Sequence, residues 1–135
     1  MSASVLIVDG DEFILFKNKD GLYSDCGGSV EKGETYEETA SRELWEETCY
    51  TLYVPAEKIK KLSYFENGKH RVYILRYHFD RKQYKKNLLK YCHYIQNPDV
   101  FCETYDIIGY KPGMRHNVPL RYPEEIEFIY NSLFI

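Results

Sequence analysis

The sequence predicts a single domain of the α/β or α+β class, a mixed β-sheet sandwiched with helices, on three observations. Two short strand patterns, residues 5–8 and 12–16, with apolar runs at 5–8 and 13–16, flank Asp9-Gly10-Asp11, and an Asp-Gly turn between such runs is a hairpin signal. An acid-rich helical pattern fills 35–47 between strand patterns on either side. A second helix starts at Pro123 and runs toward the end of the sequence. Strands before and after one helix, with another helix last, make a layered mixed-sheet order. The 135 residues suffice for one core and one domain over 1–135.

Taken in order, the first two runs are continuously apolar, as expected of strands covered on both faces of a sheet. Residues 18–21 are a turn, and Leu22-Tyr23 leads to Gly27-Gly28. The polar loop 31–34 precedes Thr35, which with Glu38 three residues later forms a capping-box signature. Tyr36, Ala40 and Leu44 make the stripe that packs on the sheet. Residues 50–54 alternate as a strand that Pro55 stops. A second hairpin pairs 62–66 with 70–79 across Asn67-Gly68, Tyr73, Leu75, Tyr77 and Phe79 on one face and Val72, Ile74, Arg76 and His78 on the other. Tyr84, Leu88, Tyr91, Cys92 and Ile95 give a basic amphipathic helix over 81–95. Residues 100–110 read as a strand ended by Pro112-Gly113. In the last helix Ile126, Ile129, Tyr130 and Leu133 share the buried side.

Composition excludes several classes. Apolar runs are four residues long at most, and the first residues carry no basic n-region, so the expected protein is cytoplasmic, with no membrane partner. Cysteines 26, 49, 92 and 102 show no paired metal spacing and read as small buried or semi-buried thiols rather than a zinc site or a disulfide framework. The net charge of −3 hides a segregation. Residues 25–47 hold eight acids against two bases, net −6, and residues 58–90 hold eleven bases against two acids, net +9. An acidic centre beside a basic region suits a metal-dependent enzyme acting on a polyanion.

The chemistry concentrates in the first helix. Glu43, Glu46 and Glu47 stand at i, i+3 and i+4 and share a face. Each like-charge pair of this kind costs a helix roughly 0.2–0.5 kcal/mol, so a cation among them is the economical reading. Oxygen-only ligands suit Mg2+ or Mn2+ rather than zinc. From Gly28 the spacing continues through five residues to Glu34, seven more to Arg42-Glu43-Leu44, then one to Glu46-Glu47. This resembles the Nudix box, the signature of the Nudix hydrolases, and seven of its nine specified positions agree. Cys49 replaces the glycine that ends the family's helix, and Tyr50 replaces an aliphatic residue. Asp25-Cys26 departs from the Leu-Pro common before the two glycines.

The resemblance implies an α/β/α sandwich with a loop-helix-loop catalytic motif, and hydrolysis of a phosphoanhydride bond. It implies that Glu43, Glu46 and Glu47 bind Mg2+ or Mn2+ with the Gly28 carbonyl. Glu43 is the first choice as base, with Glu34 and a downstream acid as rivals. Arg42 would orient the carboxylates. A further ligand is expected from a late loop, Glu103 being the best candidate, with Asp99 and Asp106 behind it. For substrate, Tyr23 offers a ring, and Arg71 and Arg76 offer phosphate contacts. The implied substrate is a small diphosphate, a nucleoside diphosphate linked to another moiety or a dinucleoside polyphosphate. RNA 5′ ends, inositol pyrophosphates and a non-cleaving nucleotide- or RNA-binding module stand as alternatives. No pattern in the sequence states the oligomeric state.

Overall fold

A computed structural model describes residues 1–92, 104–114 and 117–135, Cys92 by its backbone alone. The elements are β1 (Ser2–Asp9), β2 (Glu12–Lys17), β3 (Tyr23–Ser24), β4 (Cys26–Ser29), α1 (Tyr36–Glu47), α2 (Ala56–Ile59), β5 (Tyr64–Asn67), β6 (His70–Arg76), α3 (Arg81–Cys92), β7 (Asp106–Tyr110) and α4 (Pro123–Phe134). A 3-10 turn, Pro112–Met114, follows β7.

The strands form one mixed sheet, ordered β3-β2-β1-β6-β5, with β4 also paired to β1 and β7 to β2. β1 is its axis: it runs antiparallel to β2 and β4 and parallel to β6. A parallel neighbour requires a crossover, and the chain between β4 and β5 supplies it through α1. Because side chains alternate along a strand, β1 feeds two cores. Ala3, Val5 and Ile7 join Ala40 and Leu44 of α1 and Tyr84 of α3 on one face. Leu6 and Val8 join Ile126 and Ile129 of α4 on the other. The fold is therefore an α/β/α sandwich. Each buried Leu, Ile or Phe contributes about 1.5–3 kcal/mol of transfer free energy, which explains why β1 and β2 are apolar on both sides.

Local differences from the sequence reading have physical causes. Residues 50–54 form no strand. At the end of α1 the Cys49 amide donates to Glu46 O and the Tyr50 amide to Trp45 O, a Schellman closure. It places Cys49 (φ 54°) and Tyr50 (φ 60°) in the left-handed region, which turns the chain out of line for pairing. The alternation there is real, since Leu52 is buried and Val54 packs on the core, but it crosses the core without a ladder. Pro55 begins α2 instead of merely stopping a strand. β6 ends at Arg76, short of 79, because its partner β1 turns at Asp9 and the Asp9 carboxylate takes the Phe79 amide at 3.2 Å. The basic helix is described as far as Cys92 and the late strand as β7, so Ile95 and residues 100–103 lie outside the described residues. Cys26 and Cys49 are buried free thiols. No described helix is long and apolar enough to cross a membrane.

Candidate functional site

The site is assembled where β4 passes beneath α1. Thr35 caps the helix: its hydroxyl accepts from the Glu38 amide at 3.1 Å, and the Glu38 carboxylate accepts from the Thr35 amide at 3.0 Å. The preceding loop folds back on itself through Glu34, whose carboxylate accepts from the Glu31 amide at 3.0 Å and the Thr39 hydroxyl at 2.9 Å. This brings Glu34 under Arg42.

Arg42 is the hub. Its Nε donates to one oxygen of Glu34 at 2.9 Å and its Nη2 to the other at 3.0 Å, a planar fork-to-fork pair. Nη1 donates to Glu43 at 3.0 Å and lies 3.5 Å from Glu46. The guanidinium hydrogen bonds hold the Glu34 carboxyl down to about 2, far below its usual range. Reciprocally, those bonds, followed by the charges of Glu43, Glu34 and Glu46, raise the Arg42 pKa further still.

Glu43 is 8% exposed and its carboxylate lies against the α carbon of Gly28. A Cβ on Gly28 would stand 2.3 Å from Glu43 Oε1, so any side chain there would force the Glu43 carboxylate to move. Gly27 is equally constrained on the opposite face, where a Cβ would meet Ser4 Cβ at 2.3 Å. The two glycines thus pack β4 between β1 and the helix. Burial, then the negative charges of Glu47, Asp25 and Glu43, push the Cys26 thiol well above its ordinary value. Glu43 and Glu47 therefore both project their field on the same short strand.

An all-oxygen set of Glu43, Glu46, Glu47 and the Gly28 carbonyl matches a hard divalent cation, and the missing side chain at Gly28 is what lets the Glu43 carboxylate lie so close to that strand. Among the described residues, no three His, Cys, Asp or Glu side chains converge as a preformed metal cluster. Glu43 and Glu46 lean toward Arg42. Glu103 and Asp99 lie outside the described residues. Thr104, buried, donates to the Glu47 carbonyl at 2.9 Å, while Asp106 starts β7 and accepts from the Tyr23 hydroxyl at 3.0 Å.

The residues read as substrate contacts occupy three different settings. Tyr23 is 8% exposed, with its ring in the core beside α4 and its hydroxyl on Asp106. Arg71 is stacked between the rings of Tyr36 and Tyr64, at 4.3 and 4.7 Å, and paired with Glu37 and Glu66. Arg76 is exposed and in register with Val8, whereas Gly28 is in register with Ala3. At about 3.3 Å per residue that sets Arg76 roughly 17 Å along the strand from Gly28.

Other polar residues, not singled out in the sequence, do line this end of the sheet. Ser2, Ser4, His70 and Glu125 line a cavity together with Asp25. They come from distant segments, and only the unusual Asp25 marked the place in the sequence.

The chain belongs to the Nudix hydrolase family: the NUDIX domain model matches residues 1–97. No curated protein sequence matches it. Its fold is similar to the bifunctional NMN adenylyltransferase/ADP ribose pyrophosphatase of Francisella tularensis, at 15% identity and TM-score 0.59, covering 97% of this chain and 40% of that one. It is also similar to the pyrophosphohydrolase BsRppH of Bacillus subtilis, at 19% identity and TM-score 0.57, covering 97% and 78%. A C. elegans Ap4A hydrolase gives 14% identity and TM-score 0.57, covering 98% and 95%. This chain thus spans less than half of the Francisella enzyme.

Proposed function

We propose that the protein hydrolyses the diphosphate linkage of a nucleoside diphosphate joined to another moiety, with Mg2+ or Mn2+ as cofactor. The observation that carries this reading is the Arg42 clamp, which fixes Glu34 on one side and Glu43 on the other while Glu43 lies on Gly28. Similarity to ADP-ribose, Ap4A and other pyrophosphohydrolases supports the reaction class. Bound to Glu43, Glu46, Glu47 and the Gly28 carbonyl, the cation would supply positive charge to the phosphate oxygens.

Glu43 is the general base. It takes the proton of the attacking water as the water oxygen bonds to phosphorus and the bridging P–O bond breaks, and the departing phosphate carries away the bonding pair. Glu34 is assigned to Arg42, because both its oxygens are already held by the guanidinium. Arg42 acts as a positioning residue. Glu103 is kept as the proposed further metal ligand.

The test is a panel of nucleotides, dinucleoside polyphosphates, nucleoside diphosphate sugars and triphosphorylated RNA, assayed with each metal and with products identified by mass. Metal-dependent cleavage at a phosphoanhydride is expected, with Glu47→Gln losing most turnover and keeping the wild-type thermal transition. Full turnover in that variant would overturn the reading.

A further inference from the structure

A cavity of about 640 Å³ opens between the start of β1, the start of β6, β4 and the first turn of α4. Its size is that of a small-molecule site. The parallel pairing of β1 with β6 puts Ser2 beside His70, with the Ser2 hydroxyl 2.6 Å from His70 Nδ1. His70 Nε2 lies 3.8 Å from Glu125 at the start of α4. Deeper in, the Ser4 hydroxyl donates at 2.8 Å to Asp25, which is 8% exposed.

The same cavity is lined by Gly28, whose other face meets Glu43. A ligand seated here would reach the carboxylates of α1 across a single strand end. Gly28 is thus the residue that the cavity wall shares with the carboxylate site.

Its chemistry is unlike that of a phosphate pocket. Asp25, Glu124 and Glu125 outnumber Arg121 on its walls, so a second polyanionic group would be repelled. Tyr122 is the one aromatic residue among its described lining, too little to sandwich a base. The walls are acceptors and hydroxyls. Burial, reinforced by the charge of Glu125, pushes the Asp25 carboxyl up to about 6, so a donor reaching it would restore interactions that burial removed.

Resting on the hydrolase reading above, we propose that this cavity holds the moiety attached to the diphosphate, that the moiety is uncharged and rich in hydrogen-bond donors, and that Asp25 and Glu125 accept from it. His70, between Ser2 and Glu125, positions the latter. The donors are sugar hydroxyls or the amino edge of a base, which share this chemistry.

The experiment compares wild type, Asp25→Asn and Glu125→Gln in steady state on ADP-ribose, a dinucleoside tetraphosphate, ATP and triphosphorylated RNA. ADP-ribose or the dinucleotide should be preferred to ATP and RNA. Each variant should raise KM for the preferred substrate about tenfold or more, the loss of a hydrogen bond to a charged acceptor, with kcat much less affected. Substrate analogues lacking a sugar hydroxyl, or carrying hypoxanthine for adenine, separate the two donor sources: the correct deletion makes Asp25→Asn indifferent. Unchanged KM in both variants of an active enzyme, or preference for RNA or ATP, overturns the proposal. Should the wild type cleave nothing, the hydrolase reading fails on its own, and calorimetric binding of ADP-ribose, equal for wild type and variants or weakened in them, still decides the cavity.

Discussion

The carboxylate of Glu43 rests on the α carbon of Gly28, so close that a methyl group there would stand 2.3 Å from Oε1. Helix and strand are thereby in contact through the group assigned to the chemistry. Gly28→Ala should displace Glu43 by the ångström or so that separates productive from unproductive geometry. We expect kcat to fall about 10²-fold, with the circular dichroism spectrum unchanged. Wild-type turnover in this variant would mean that Glu43 needs no such placement.

Arg42→Lys keeps the charge and loses the fork. A single ammonium cannot donate in plane to both oxygens of Glu34 and also reach Glu43. Activity should fall by about 10–100-fold, as for other groups that orient metal ligands, with a rise in the Mg2+ concentration giving half-maximal rate. A drop in rate at unchanged Mg2+ dependence would assign Arg42 to helix stability alone.

Much of this was legible in the sequence because the determinants are local. The capping pair Thr35 and Glu38, the apolar runs of β1 and β2 and the spacing from Gly28 to Glu47 each lie within a short window, and the structure builds the cap and the two paired strands. What stayed hidden depends on partners far along the chain. Residues 50–54 carry a strand's alternation, yet pairing is decided by the turn at Cys49 and Tyr50. Arg71 looks like a free cation until Tyr36 and Tyr64 close over it. The Ser2–His70–Glu125 line exists only because β6 runs parallel to β1 and α4 covers their ends.

Cys49 adopts a left-handed conformation, and its side chain is fully buried. Cys49→Gly relieves the backbone but empties the thiol's place, so the two effects offset. Cys49→Val adds a β-branched side chain where φ is positive, and strain of this kind costs about 1–3 kcal/mol. In urea unfolding, Val should be less stable than Gly by roughly that amount. Equal midpoints would show that the helix exit relaxes to another conformation.

Two carboxylates pull the pH dependence of stability in opposite directions. Glu34 is lowered from 4.5 to about 2 by Arg42, so the folded state binds fewer protons; its contribution is complete above 4.5 and lost as pH falls toward 2. Asp25 is raised from 3.8 to about 6, chiefly by burial, so the folded state holds the proton longer and stability declines as pH rises from about 4 to about 6. Asp25→Asn removes the second effect while keeping an oxygen for the Ser4 hydroxyl. The variant should match wild type near pH 4 and exceed it at pH 7 by on the order of 2 kcal/mol, since a tenfold difference in proton affinity between the folded and unfolded states is worth about 1.4 kcal/mol. Chemical denaturation at the two pH values checks it: the same difference at both would mean that the ionisation of Asp25 is not what burial makes costly.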